Sequence, residues 1–178
     1  MGKYIEQYKQ MYYTGDMLFP NLEYIVKLVK LTEAKSLLDF GCGKGKQYSG
    51  WGELTAHITL GMMPTLYDPG VKEFEEIPEG KFDGVYSTDV MEHIPKDELS
   101  DALEIIFSKA SKFVFLAICT APAIQLLPNG ENAHCTLERI DWWKEIVEKY
   151  RPPEIRTEIR TYGQPMIGGL CNSYEVLV

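Results

Sequence analysis

The sequence predicts a single α/β domain built on a mostly parallel sheet flanked by helices. Three observations carry that expectation. Ser36-Leu37-Leu38-Asp39-Phe40 is a short apolar run that reaches an acid and passes into Gly41-Cys42-Gly43-Lys44-Gly45-Lys46, the pattern of strand, glycine turn, helix. Phe113 to Ile118 is continuously apolar, as a parallel strand buried on both faces requires. Between and beyond these strands, residues 95–110 and 141–150 carry apolar side chains at helical spacing, so helices and strands alternate.

The 178 residues suffice for one core without disulfides or metals. Hydrophobic residues are 45% and charged residues 25%, a globular balance that excludes a disordered chain. The net charge is -8 and the basic residues are scattered, which disfavours a nucleic-acid partner, because an acidic surface repels phosphate at long range. Arg151, Arg156 and Arg160 are the nearest thing to a basic patch, and a solvated edge strand is expected to account for them. Cys42, Cys119, Cys135 and Cys171 lie far apart with no C-x-x-C pair, so they read as reduced thiols, with no zinc site and no disulfide framework. The longest fully apolar run, Phe113 to Cys119, is too short to cross a bilayer, and Met1-Gly2-Lys3 opens no secretory h-region. A cytoplasmic monomer or homodimer that acts on a small molecule and binds no membrane is the expectation.

In chain order, residues 3–13 place Tyr4, Ile5, Tyr8, Met11 and Tyr12 on one helical face, and a second helix is predicted from Pro20-Asn21 to Leu31 with Leu22, Ile25, Val26 and Val29 as its stripe. Residues 1–34 form a helical cover in this reading, with Tyr12 and Tyr13 as lid candidates, and residues 35–178 form the core domain. The glycine turn needs glycine because main-chain N–H groups brought against a ligand leave no room for a Cβ, and positive φ is often required. Lys46 to Leu54 is the predicted crossover helix, its N-terminus aimed at the same spot. Phe40 stands where a P-loop needs its first glycine and Gln47 where it needs Ser or Thr, so that reading fails. A dinucleotide turn would want a third glycine at Lys46.

The segment Asp39-Phe40-Gly41-Cys42-Gly43-Lys44-Gly45 matches acid-x-Gly-x-Gly-x-Gly, and here the chain resembles the class I S-adenosylmethionine-dependent methyltransferases. The resemblance implies that Asp39 serves the methionine end of the cofactor, that Gly41, Cys42 and Gly43 give it close backbone approach, and that S-adenosylhomocysteine is the product. Thr65-Leu66-Tyr67-Asp68-Pro69-Gly70 reads as a strand ending in an acid and a turn. Such an acid can accept bonds from both ribose hydroxyls, so Asp68, with Tyr67 beside it, is the predicted ribose ligand. Phe82 begins the next strand only fourteen residues after Asp68, so the third strand is expected to be reduced or missing, leaving Phe74, Glu75 or Glu76 near the adenine.

The stretch Phe82-Asp83-Gly84-Val85-Tyr86-Ser87-Thr88-Asp89-Val90-Met91-Glu92-His93-Ile94-Pro95 is similar to the fourth strand and following loop of the family's ubiquinone-biosynthesis-like, small-molecule (methyltransferase type 11) branch. The loop Thr88 to Glu92, with Thr88, Asp89 and Val90 as its named cofactor-binding residues, is thereby expected to border the cofactor beside the glycine turn, and His93 becomes a candidate base. A helix is predicted from Pro95 to Ala110, with Leu99, Ala102, Leu103, Ile106 and Ala110 as its inward face, then the strand Lys112 to Thr120. Ala121 to Cys135 is a long loop at the carboxyl end of that strand, a place where function concentrates, and Asn132-Ala133-His134 closes it. His134 is the leading candidate for proton transfer or substrate binding, and Trp142 is a weaker substrate candidate.

The next helix, from Leu137 or Asp141 to Tyr150, is expected to face Trp143, Ile146, Val147 and Tyr150 inward. Residues 155–161 alternate as a strand exposed on one face, and Ser173 to Val178 is the last strand. The resemblance implies a Rossmann-like three-layer sandwich with an antiparallel C-terminal strand, and methyl transfer from S-adenosylmethionine to a small acceptor. Two alternatives stay open: a non-catalytic S-adenosylmethionine-binding partner subunit and a nicotinamide-dependent oxidoreductase.

Overall fold

The computed structural model describes residues 5–11, 16–49, 55–163 and 172–177. Its centre is a parallel sheet of five strands, in the order β2-β1-β3-β4-β5: β1 (Leu37–Phe40), β2 (Thr65–Tyr67), β3 (Phe82–Thr88), β4 (Ala110–Cys119) and β5 (Arg156–Tyr162). A sixth strand, β6 (Asn172–Leu177), runs antiparallel along β5, with Thr157 opposite Leu177 and Tyr162 opposite Asn172. Strand β4 is the most buried, with Phe113 to Cys119 all shielded, as its continuous apolar sequence demands.

Side chains alternate across the strands, so each face of the sheet has its own core. One face carries Leu38, Phe40, Val85, Val114, Leu116 and Ile118, covered by α4 (Leu99–Lys109) and α5 (Ile140–Tyr150). The other carries Leu37, Tyr86, Phe113, Phe115 and Ala117, covered by α2 (Leu22–Thr32) and α3 (Ala56–Leu60). Gly84 is required by this second packing, because a Cβ there would lie 2.1 Å from the Phe113 ring.

Several boundaries differ from the sequence reading. The first helix, α1, is the single turn Ile5–Tyr8, and Tyr12 and Tyr13 lie outside the described residues. A 3-10 helix over Asp16–Asn21 precedes α2, whose buried stripe is Leu22, Ile25 and Leu28; Val26 and Val29 sit at its margin. The crossover helix predicted from Lys46 begins as a three-residue 3-10 turn, Lys46–Tyr48, because Gln47 and Tyr48 turn inward to hydrogen-bond Asp39. Helix α3 then starts only at Ala56, and residues 50–54 lie outside the description.

Residues 69–81 form turns and no strand, with Asp68 N–H donating to Phe74 O at 3.0 Å. Helix α4 starts at Leu99, after a turn in which Glu98 N–H donates to Pro95 O, and Ala110 opens β4 directly instead of closing the helix. Strand β5 is not a solvated edge. Glu158 is 1% exposed and takes a salt bridge from Arg156 at 2.9 Å, while Arg160 stacks 3.7 Å over Tyr24 and donates to Asn21. Among the described residues no helix is long and apolar enough to cross a membrane.

Candidate functional site

Strand β1 lies between β2 and β3, so the chain leaves it to one side, crosses back, and continues on the other. This reversal of winding lies at the carboxyl ends of β1 and β3, the place where doubly wound sheets carry their ligand crevice. The glycine turn leaves one wall and the loop after β3 leaves the other. They touch: a Cβ on Gly41 would stand 2.3 Å from Val90 Cγ2, and its φ of +87° is itself a glycine conformation.

The turn is tied to the end of β2. Gly41 and Cys42 N–H groups both donate to Tyr67 O, at 2.7 and 3.1 Å, and Gly43 N–H donates to Asp68 Oδ2 at 2.8 Å. The other oxygen of Asp68 accepts Gly70 N–H at 2.8 Å, so one buried carboxylate fixes two loops. Tyr67 packs its ring against Phe40 and Cys42 is buried; burial raises the thiol of Cys42 far above its ordinary range. Asp39 does not face the crevice openly. It is 2% exposed, and its Oδ2 accepts the Tyr48 hydroxyl at 2.5 Å and Gln47 Nε2 at 3.3 Å, with the Tyr86 hydroxyl 2.5 Å beyond Tyr48. Burial pushes Asp39 up to about 7, against the lowering effect of its two donors.

On the other wall, the chain leaves β3 through half-buried Thr88, Asp89 and Val90. Asp89 has φ +63°, a strained conformation for a residue with a Cβ, and is held there by its N–H on Ala117 O at 2.9 Å and by the Tyr162 hydroxyl on Oδ1. Glu92 follows in a 3-10 turn, Met91–His93, and is wholly buried. Its Oε1 accepts Cys119 N–H at 2.6 Å, while Oε2 accepts no N–H, thiol or hydroxyl donor among the described residues; the Asp89 carboxyl lies within hydrogen-bonding reach. Burial first, and the neighbouring Asp89 charge second, raise its carboxyl well above the carboxylate range.

The two histidines singled out from sequence meet here, with ring centroids 4.5 Å apart and planes near perpendicular. His134 Nδ1 lies 2.6 Å from Ala121 O; a carbonyl only accepts, so Nδ1 carries the proton and Nε2 holds the lone pair. His93 Nδ1 forms a triangle with the Tyr8 hydroxyl, at 2.7 Å, and Ala133 O, at 2.9 Å. Burial, then the adjacent His134, lower His93 to about 4, so it is neutral at pH 7. The loop bearing His134 is stapled by Asn132, whose side chain accepts from Ala123 N–H and His134 N–H and donates to Ala123 O. Trp142 lies elsewhere, edge-on to Trp143 and under the Lys96 ammonium.

The structure thus brings together His93, His134, Thr88, Asp89 and Val90, and sets them against Gly41, Gly43 and Asp68 across one crevice. Sequence reasoning placed Glu92 at the end of the loop expected to border the cofactor without giving it a role of its own, and passed over Cys119, Tyr162 and Tyr8. Glu92 stood inside a quoted motif, but the other three come from distant segments and carry no local signal. Asp89, Glu92, Cys119 and His134 each offer a metal-ligand atom within 4.8 Å of the others, a set the cysteine spacing did not signal. The chain matches no family model, and no curated protein or solved structure matches it.

Proposed function

We propose that this chain is an S-adenosylmethionine-dependent methyltransferase with a small-molecule acceptor. The observation that carries the reading is the meeting of the acid-tipped glycine turn and the Thr88–Glu92 loop at the reversal of strand winding. S-adenosylmethionine supplies a methyl group already activated by its sulfonium. The chain's part is then to orient an acceptor in line and to exclude competing water.

Asp68 is the ribose ligand in this reading: its carboxylate already accepts two backbone N–H groups in the crevice, and ribose hydroxyls would share it with Gly43 and Gly70. Gly41, Gly43, Tyr67, Thr88, Asp89 and Val90 line the approach. Asp39 and Cys42 act from behind the turn; Asp39 shapes it through Gln47, whose Nε2 also donates to Cys42 O at 2.9 Å. Where the acceptor is a hydroxyl or an ammonium, the lone pair of His134 Nε2 would take its proton, with Nδ1–H fixed on Ala121 O. His93 buttresses that ring and is itself occupied by Tyr8 and Ala133.

Calorimetry of the full chain with S-adenosylhomocysteine, with NAD as the comparison, tests the cofactor. Heat with the first and none with the second is expected, and Asp68→Ala should abolish it. Heat with NAD alone would replace the reading with the oxidoreductase, while binding without turnover across a metabolite panel would leave a non-catalytic partner.

A further inference from the structure

Glu92 Oε2 is completely enclosed and accepts no N–H, thiol or hydroxyl donor among the described residues; its carboxyl lies within hydrogen-bonding reach of the Asp89 carboxyl, with a thiol and an imidazole close by. Such an oxygen is costly to bury without a donor or a cation. We propose that Asp89, Glu92, Cys119 and His134 form a binding site for a divalent transition ion of the zinc type. Carboxylate oxygen, imidazole nitrogen and thiolate sulfur together match a borderline-soft ion, and a harder ion such as magnesium would not choose the sulfur.

The supports of the four groups fit that use. His134 donates Nδ1–H to Ala121 O at 2.6 Å, the outer bond that aims a metal-ligating imidazole and leaves Nε2 for the ion. Tyr162 donates to one oxygen of Asp89, and Cys119 N–H donates to one oxygen of Glu92, so each carboxylate is oriented by a fixed partner. Cys119 therefore contributes twice, its backbone N–H holding Glu92 and its sulfur, whose thiol donates to Ala121 O at 3.5 Å, lying within 4.8 Å of the other ligand atoms. Tetrahedral bonds of about 2.0–2.3 Å place ligand atoms roughly 3.3–3.8 Å apart. A set within 4.8 Å needs a contraction of about 1 Å, which small side-chain rotations supply. Asp89 is half-buried while the other three are buried, so the ion enters from the crevice side past Asp89. An ion on Nε2 withdraws that lone pair from proton transfer, so zinc is expected to oppose any base role of His134.

The site uses neither the glycine turn nor Asp68, and its test is independent of the methyl-transfer reading. The full chain, stripped with a chelator, is titrated with zinc alone against a chromophoric competitor, and separately with cobalt(II) as a spectroscopic substitute. One ion per chain is expected, with a sulfur-to-cobalt charge-transfer band that Cys119→Ser removes and Cys135→Ser keeps. Loss of a direct ligand in Cys119→Ser or His134→Gln should weaken zinc by more than the roughly 10–100-fold typical of outer-shell changes. Circular dichroism confirms that each variant is folded, and zinc should raise the Tm of the parent and not of Cys119→Ser. Absence of one-to-one binding, or a cobalt band that survives Cys119→Ser, would overturn the proposal.

Discussion

Asp39 shows how one carboxylate can shape a turn and bias stability with pH. Burial holds its native value at about 7 against an ordinary 3.8, so between those values the native state binds the proton and the unfolded state does not. Stability from this group is full below the lower value and is lost as pH rises through about 7. Asp39→Asn cannot ionise, so thermal melts from pH 4 to pH 8 should show the parent losing ground steadily to the variant; a constant difference would refute the assignment. Gly41 meets two demands at once, a φ of +87° and the Val90 methyls. Gly41→Ala should lose about 1–3 kcal/mol in denaturant titration, and Val90→Ala should restore only the steric part, because the backbone strain stays. The glycines were legible as a strained turn. Their immediate partner was not, because nothing in Gly41-Cys42-Gly43 says that a valine forty-nine residues later fills the space.

Among the elements, those that bury a whole face were the readable ones. Strand β4 and helix α4 announce themselves by a continuous apolar run and by helical spacing, and truncating the strand's centre, Leu116→Ala, should cost about 2–5 kcal/mol. Elements held by polar contacts hid better. The predicted crossover helix opens as a 3-10 turn because Gln47 and Tyr48 point inward to Asp39. Strand β5 looked half-solvated because its Glu158 and Arg156 pair with each other beneath a covered face. Helix α1 is one turn long and buries no residue fully; a single turn has no stability of its own, so its place depends on Tyr8 reaching His93 and Ala133 and on Gln7 Oε1 accepting Asn129 N–H at 3.1 Å. Tyr8→Phe removes the hydroxyl's bonds, worth about 1 kcal/mol. Amide exchange over residues 5–11 should quicken in that variant while β4 stays protected, and unchanged exchange would mean that other contacts hold the turn.

At the scale of the molecule, chemistry gathers where the winding reverses. Turn, acid and loop come from three strands, β1, β2 and β3, yet they interlock through Gly41 on Val90 and Asp68 on Gly43. Alternating strands and helices made this crevice foreseeable, since a parallel sheet puts the carboxyl ends of its strands along one edge. The cluster of Asp89, Glu92, Cys119 and His134 was not foreseeable, because four single residues spread over forty-six positions acquire meaning only when that edge is assembled. A ligand lodged in the crevice must press on both walls together. Saturating S-adenosylhomocysteine should therefore slow amide exchange in residues 41–45 and 88–94 in parallel. Asp68→Ala should abolish both effects at once, because that carboxylate joins the turn to the end of β2. Protection confined to one wall would place the ligand outside the crevice and separate the glycine turn from the loop it touches.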